Sequence, residues 1–318
     1  MAWTTACSRD TARDRLGLNT RASLLARQTA DRSPMTASPP PRLTDRTALL
    51  RQRARAIAAG PALFLHEAAA AELQERLAEV NRAFTAPAVV TGFPDFWTGV
   101  MPGARIVADD PVLALEAGGH DLVVHALALH WADDPVGQIV QCARALRPDG
   151  LFLGLTFGGR TLAGLRAALA EAEVAVTGGL SPRVLPMADI RDWGALLQRA
   201  GLAMPVADST VHRVTYADAG ALMRDLRAMG EGNALAARNR RPPRPALFRH
   251  LADLYARAYA AAEGRVMAEF EVVALTGWAP APGQPQPLRP GSAGTRLAEA
   301  LGTTERALPD RAVPRADD

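Results

Sequence analysis

The segment from Asp121 to Phe157 constrains the fold more than any other part of this 318-residue chain. Its first part, Asp121–Leu129, is an apolar run of strand length. The next part, Pro135–Leu146, predicts a helix, because it begins with the proline that suits a first helical turn. Arg147–Gly150 then predicts a turn, since Pro fixes one φ angle and Gly accepts a positive one. Leu151–Phe157 predicts a second strand, and this order is typical of a mostly parallel sheet covered by helices on both faces.

Elements of the same kind precede this segment. We expect a helix that is capped by Thr44 and ends at Gly60, where Pro61 prevents its continuation. A second helix is predicted from apolar residues at helical spacing, namely Leu73, Leu77, Val80 and Phe84. Ala88–Val90 predicts a short buried strand. These residues therefore add two helices and the first strand to the α/β pattern.

Further elements follow Phe157. Leu162, Leu165 and Leu169 predict a third helix, and Asp192–Ala200 predicts a fourth that ends at Gly201. The segments Val211–Tyr216 and Val266–Thr276 have strand composition, with two helices and an Arg/Pro-rich insertion between them. The sequence thus predicts four regions: a disordered extension (1–42), N-terminal helices (43–86), an α/β domain (87–301) and a loose tail (302–318).

Residues 1–34 leave two interpretations open. Their arginines and few acidic residues suit a mitochondrial transit segment, and their polar character equally suits a translation artefact with Met35 as the true start. The 36 basic residues of the chain are all arginine, a bias typical of a GC-rich bacterial genome, which favours the second interpretation. We therefore expect a bacterial cytoplasmic protein, with the mitochondrial matrix as the alternative.

Composition excludes several function classes. The net charge is +3 and acidic residues are interspersed with the arginines, so we expect no nucleic-acid-binding face. The two cysteines cannot build a disulfide framework or a thiolate zinc site, and the six histidines lack metal-ligand spacing, so no metal is predicted. No apolar run reaches the length of a transmembrane helix.

Several motifs carry a resemblance to a known family. The segment from Asp121 through His130-Trp131 to Leu146–Phe152 resembles the fourth and fifth strands of class I S-adenosylmethionine (SAM) methyltransferases. Further stretches resemble one branch of them, that of complex I assembly factor 5 (an arginine hydroxylase) and the malonyl-acyl-carrier-protein methyltransferases. Those stretches are Phe157–Leu162, Gly178–Pro182, Met229–Asn233 and Arg289–Ala293.

The resemblance implies a fold, a cofactor and a partner. It implies a Rossmann-like doubly wound sheet, mostly parallel with an antiparallel C-terminal strand, and SAM as cofactor. It also implies a protein or carrier-bound substrate, such as a complex I subunit. The candidate cofactor-binding residues are Thr91, Gly92, Asp109, Asp110, Ala126 and Leu127. His130 is the candidate catalytic residue, with a packed or capping histidine as the alternative, and Trp131, Arg160, Arg238 and Arg240 are candidate substrate or partner contacts.

The cofactor half departs from the family pattern in two ways. A SAM site needs glycines that let the backbone approach the cofactor, yet only Gly92 follows the first strand, and Phe93, Pro94 and Trp97 come after it. Asp121 follows Thr91 by 30 residues, room for at most one extra strand. Val107–Pro111 best matches the family's third strand, so we expect a sheet that is shortened by about one βα unit and lacks the second strand.

Two hypotheses from different classes follow. The first is a SAM-dependent transferase whose site lies between Gly92, Asp109 and His130. The second is a non-catalytic relative that has lost SAM and serves as a binding factor in complex I assembly. A complete sheet with an open cleft at Gly92 favours the enzyme, whereas a six-stranded sheet with Phe93 or Trp97 filling the cleft favours the binding factor.

Overall fold

The computed structural model describes residues 42–285, 299 and 301–304. The chain divides into two units, Met1–Leu43 and Thr44–Asp318, and the described helices and strands all belong to the second unit. The predicted extension before residue 42, the Arg289–Ala293 motif and residues 305–318 of the predicted tail lie outside the described residues. No helix among the described residues has the length and apolarity needed to cross a membrane.

Strands and helices alternate along the second unit, as the apolar periodicity predicts. Two helices, α1 and α2, come before the first strand, and two more, α7 and α8, separate the last two strands. The elements are α1 (Arg46–Ala59), α2 (Phe64–Val80), β1 (Pro87–Thr91), α3 (Pro94–Val100), β2 (Arg105–Ala108), β3 (His120–Ala126), α4 (Pro135–Ala145), β4 (Leu146–Phe157), α5 (Ala163–Thr177), α6 (Ile190–Arg199), β5 (Ala203–Tyr216), α7 (Ala219–Ala228), α8 (Pro245–Ala258) and β6 (Val266–Trp278).

The described strands form one six-stranded sheet in the order β2-β1-β3-β4-β6-β5. The pairs β1–β2, β1–β3 and β3–β4 are parallel, whereas β6 runs antiparallel to both β4 and β5. This is the predicted α/β class, a mostly parallel doubly wound sheet with an antiparallel C-terminal strand.

Alternation along the buried strands builds a core on each face of the sheet. Leu122 and Val124 of β3 contact the core formed with α2, α5, α7 and α8, while Val123 contacts the core formed with α4 and α6. A strand buried on both faces must be apolar throughout, which is why β3 reads as a continuous apolar run. Each fully buried aliphatic side chain contributes about 1.5–3 kcal/mol to folding.

The start of α1 differs from the expectation. Asp45 caps the helix, because its Oδ1 accepts a hydrogen bond from the Ala48 amide at 3.1 Å. Thr44 instead donates its hydroxyl to the Trp131 carbonyl at 2.8 Å, so its side chain fixes the chain to the end of β3. The predicted end at Gly60 is confirmed, with φ 87°.

Two other boundaries differ from the sequence-based prediction. The strand predicted to Leu129 ends at Ala126 and is followed by a short 3₁₀ turn, Leu129–Trp131. The predicted turn Arg147–Gly150 lies within β4, where Asp149 adopts φ 62° and the pairing with β3 shifts register. A bulge absorbs the local bend that the Pro and Gly signal demanded, without ending the strand.

The strand order also corrects one assignment. The strand that contains Val107, assigned from the sequence to the family's third strand, pairs directly with β1. In a doubly wound sheet the neighbour of the first strand on this side is the second strand. Asp109 therefore follows the second position of the sheet, and the strand absent from the described sheet is the one at its edge.

Candidate functional site

The carboxyl ends of β2, β1 and β3 lie side by side. Thr91, the last residue of β1, is the register partner of the last residue of β2 and of the last residue of β3. Gly92, Asp109 and Leu127 are therefore the first residues beyond three adjacent strand ends. The strand order reverses at β1, and ligands of doubly wound sheets bind at such a reversal.

Two arginines of α1 occupy the carboxylate at this edge. Arg46 donates Nη1 and Nη2 to the two oxygens of Asp109 at 3.0 and 2.8 Å, and Arg53 donates Nη1 to both oxygens at 2.9 and 2.8 Å. The side chains of Arg53 and Asp109 are each only 3% exposed. Burial alone would raise the pKa of Asp109, but the two guanidinium groups hold it well below its usual value.

Arg53 also fills the space beside two glycines. A Cβ atom on Gly92 would lie 2.4 Å from Nη1 and 2.5 Å from Cζ of Arg53. A Cβ atom on Gly230, whose φ is 74°, would lie 3.0 Å from Cγ of Arg53. The one glycine left in the loop after β1 therefore accommodates the arginine of α1, at the place where a cofactor would need close approach to the backbone.

Aromatic side chains close the rest of the loop after β1. Phe93 is 4% exposed and Trp97 is fully buried. Trp97 donates Nε1 to Nδ1 of His66 at 3.1 Å, and the rings of His66 and Phe93 lie 4.6 Å apart. Burial lowers the pKa of His66 to about 4, so this ring is neutral at physiological pH. Phe93 and Trp97 form part of the main core and fill the loop that follows Gly92, which itself is partly exposed.

These observations test whether SAM fits. In this fold a carboxylate after the second strand would hold ribose hydroxyls, but both oxygens of Asp109 are bonded to arginines. The cavity beside Asp109 measures about 120 Å³ and is lined also by Arg46, Trp131 and Gln138. Sites for drug-sized ligands have roughly 300–1,000 Å³. The residues at these strand ends therefore do not fit the cofactor.

A second, larger cavity lies at the ends of β3 and β4. It measures about 240 Å³ and is bounded by α2, α5, α7, α8, the sheet and the loops around residues 183–187 and 229–233. Most of its lining is apolar, including Leu165, Met223, Phe248 and Phe270. Such a mostly apolar lining with a few polar groups is typical of small-molecule sites.

Glu231 is the acidic group of this larger cavity. Its Oε2 accepts hydrogen bonds from Nε1 of Trp131 at 2.7 Å and from Nε2 of His130 at 3.2 Å. Burial alone would raise the pKa of Glu231, but His130, Arg53 and Trp131 lower it, so the group is ionised. The arrangement places an oriented carboxylate in a mostly apolar space, whose other polar lining residues include Thr161, Arg183, Arg227 and Asn233.

The structure brings most of the predicted site residues together. Thr91, Gly92 and Asp109 meet at the strand ends, as described above. Ala126 and Leu127 are buried at the end of β3, and Asp110 is bonded to Arg46 at 3.1 Å. His130 has a fully buried side chain and stacks against Phe157 at 4.7 Å, so it contacts Glu231 from behind rather than lining the cavity. Trp131 lines both cavities.

The predicted partner contacts form ion pairs within the chain. Arg160 is exposed and pairs with Glu269 at 3.2 Å. Arg238 and Arg240 pair with Asp45, the residue that caps α1, at 2.9 and 3.2 Å. Their role in binding a partner stays a prediction.

Sequence reasoning missed three central residues. Arg46 and Arg53 belong to a helix rich in arginine, and nothing in its periodicity marks these two, of which Arg53 is buried, as partners of a carboxylate more than fifty residues away. Glu231 lies within the Met229–Asn233 run, whose two glycines are the local signal of a closely packed loop. That signal could have directed attention to the carboxylate between them.

Comparison with known proteins gives named relatives. The mitochondrial arginine-hydroxylase NDUFAF5 of Danio rerio is 34% identical over 202 residues, which cover 64% of this chain and 63% of that protein. The human protein of the same name is 34% identical over 209 residues, covering 66% and 60%. The malonyl-[acyl-carrier protein] O-methyltransferase of Halorhodospira halophila is 33% identical over 203 residues, covering 64% and 67%.

The extent of these matches limits what they carry. The alignments cover 58–63% of the length of the first two relatives that bear the arginine-hydroxylase name. No family model matches the chain. The activity, substrates and partners of the whole relatives are therefore not transferred by the matches alone.

Proposed function

The chain belongs to the class I SAM-dependent methyltransferase family, in the branch of the arginine-hydroxylase and malonyl-acyl-carrier-protein methyltransferase relatives, and on that premise we propose that it has lost SAM and acts as a binding factor for a protein partner. The observation that carries the proposal is Arg53, sealed between Gly92 and Asp109 at the cofactor position. The relatives and the motif resemblance support a partner among the subunits of respiratory complex I.

The physical support is the state of the groups that a cofactor would need. Binding SAM would require Asp109 to exchange two charged partners for neutral hydroxyls, leaving the buried Arg53 without its anion, whereas Arg46 would keep its pair with Asp110. An unpaired buried charge costs several kcal/mol, so this exchange opposes binding. The compartment proposed is the bacterial cytoplasm, with the mitochondrial matrix as the alternative that the relatives' names favour.

Calorimetry tests the proposal directly. The full chain is titrated with SAM and, separately, with S-adenosylhomocysteine. We expect no heat of binding for either ligand up to millimolar concentration. Binding at micromolar concentration would contradict the proposal, because it would mean that the ligand easily displaces Arg46 and Arg53 from Asp109.

One observation favours the second candidate, a transferase acting on a protein or carrier-bound substrate. The 240 Å³ cavity lies at the strand ends with the carboxylate of Glu231 in its wall. An enzyme of this family needs a substrate pocket at that edge. The same titration separates the two candidates, since a SAM-dependent transferase must bind SAM.

A further inference from the structure

The larger cavity carries an inference that does not depend on SAM or on the proposed protein partner. Its walls come from four helices, the sheet and the loops around residues 183–187 and 229–233, and they combine rigid aromatic rings with methionines, including Phe248, Phe270, Met223 and Met229. Methionine side chains adapt to the shape of what they contact. The space therefore suits a flexible hydrocarbon chain.

One carboxylate oxygen of Glu231 receives no hydrogen bond from the described residues. Both donors that reach the carboxylate, Trp131 and His130, bind the same oxygen, Oε2. Among the described residues no donor is bonded to Oε1, although the side chain is only 12% exposed. Oε1 is thus an unused acceptor of an ionised carboxylate, so an occupant that brings a positive charge or strong donor to it gains a charge-assisted hydrogen bond.

The cations near the cavity do not supply that partner. Arg53 directs Nη1 to Asp109, and Arg183 pairs with Glu173 at 2.6 Å. Arg227 lines the cavity but is exposed and lies on the side of the solvent. Its charge favours an anionic head group instead, which makes a carboxylate ligand the competing outcome.

We propose that the cavity binds an aliphatic amine, with its hydrocarbon chain against the apolar walls and its ammonium group bonded to Oε1 of Glu231. The apolar lining comes from residues on several sides of the cavity, including Leu165, Phe248 and Phe270, so it can contact a hydrocarbon chain along its length. The preferred ligand is therefore a lipophilic amine with a chain of several methylene groups, each of which contributes about 0.8 kcal/mol when buried.

Three probes of equal chain length test the proposal: n-octylamine, n-octanol and octanoate, each titrated into the full chain by calorimetry without SAM. We expect the amine to bind at least about tenfold more tightly than the alcohol, as a charge-assisted hydrogen bond allows. Equal affinity for amine and alcohol, tighter binding of octanoate, or binding of none of the three would overturn the proposal. Because SAM is absent from every titration, these outcomes are independent of the test of the proposed function.

Variants assign the effect to the site. Glu231→Gln keeps an oxygen for Trp131 and removes the charge, so it should abolish the preference for the amine while retaining the binding of octanol. Glu269→Gln, which changes an acidic residue on β6 outside the cavity, should leave the preference intact. Met223→Trp should fill the cavity and weaken all three probes, which provides a test even where Glu231→Gln does not fold. A preference that survives in both Glu231→Gln and Met223→Trp would locate the amine elsewhere and overturn the proposal.

Discussion

Two regions at the same edge of the sheet differ in how their buried acidic group is satisfied. On the side of β1 and β2, Asp109 is neutralised within the chain by Arg46 and Arg53. On the side of β3 and β4, Glu231 receives two hydrogen bonds on one oxygen. Among the described residues, no arginine forms an ion pair with Glu231. In the first region, which we call the closed region, both carboxylate oxygens are bonded to arginine and the cavity is the smaller one, about 120 Å³. The second region keeps the cavity of about 240 Å³ and a carboxylate oxygen, Oε1, that receives no hydrogen bond from the described residues.

The proposed function would make this chain a case in which a family keeps its sheet and loses its ligand at one half of the crevice. The closure comes from two places, namely Arg46 and Arg53 of α1, a helix outside the sheet, and Phe93 and Trp97 in the loop after β1. Ligand binding is then expected at the larger cavity, where Oε1 of Glu231 is an unused hydrogen-bond acceptor.

The largest effect is expected from Asp109→Asn. The change leaves Arg53 buried without its anion, and breaking a buried ion pair by removing one partner costs about 3–5 kcal/mol. Urea denaturation should show this loss in the free energy of unfolding. The matched control is Asp149→Asn, at a half-exposed acid paired with Arg82 at 3.1 Å, where we expect a cost of about 0–1 kcal/mol. Similar costs for the two variants would mean that the closed region is not held by this pair.

How much of the molecule could be predicted follows from the range of each interaction. The strand-helix-strand order, the end of α1 at Gly60 and the start of α4 at Pro135 depend on local periodicity, Pro and Gly, and the structure confirms them. The class of the sheet was predictable because buried parallel strands read as apolar runs. The prediction that a turn at Arg147–Gly150 precedes the strand was wrong. Pro and Gly also suit a bulge within a strand, and the structure has such a register shift in β4.

The site was predictable only in its position. Thr91, Gly92 and Asp109 follow strands, so the topology alone brings them together. The partner of Asp109 was not predictable, because an arginine on a helix is ordinarily solvated and only the packing of α1 against the sheet buries Arg53. The assignment of Val107–Pro111 to the third strand was wrong for the same reason. Which strands pair depends on contacts between residues far apart in the sequence, and the local sequence does not determine them.

The pH dependence of stability tests how well the closed region excludes water. The pKa of His66 is lowered by burial from 6.5 to about 4, so the unfolded chain takes up a proton at this ring before the folded chain does. The free energy of unfolding is therefore unaffected by this ring above pH 6.5. It falls as the pH decreases from 6.5 toward 4, because only the unfolded chain is protonated at His66 in that range. The loss is about 3 kcal/mol, from 1.36 kcal/mol per pKa unit.

Urea denaturation between pH 7 and pH 4 measures this slope in the wild type and in His66→Gln. The variant retains an acceptor for Trp97 and should flatten the slope. His212→Gln, on the edge strand β5, is the matched control and should leave it unchanged. An unchanged slope in His66→Gln would mean that the aromatic cluster around Phe93 is open to water. His125, whose pKa burial also lowers to about 4, adds a slope of the same sign in all variants.

A smaller effect is expected from Gly92→Ala. The added Cβ would overlap the guanidinium of Arg53, which the pair with Asp109 holds in place, and such overpacking costs about 1–3 kcal/mol. Gly99→Ala, in α3 with no atom within 4 Å of the new Cβ, should be neutral or slightly stabilising. In an Arg53→Ala background the cost of Gly92→Ala should disappear. A cost that persists in the double variant would mean that the backbone, rather than Arg53, restricts this position.

The smallest effect is expected when Arg53→Ala is titrated with S-adenosylhomocysteine. Removing the guanidinium clears Gly92, but Arg46 still pairs with Asp109, and Phe93 and Trp97 still belong to the core. We therefore expect binding no tighter than about millimolar, equivalent to roughly 4 kcal/mol. Arg82→Ala, which removes an arginine from an exposed pair, is the control and should show no binding. Micromolar binding to Arg53→Ala would contradict this expectation and would make the closed region a cofactor site blocked by a single side chain, so that the two regions differ in occupancy rather than in construction.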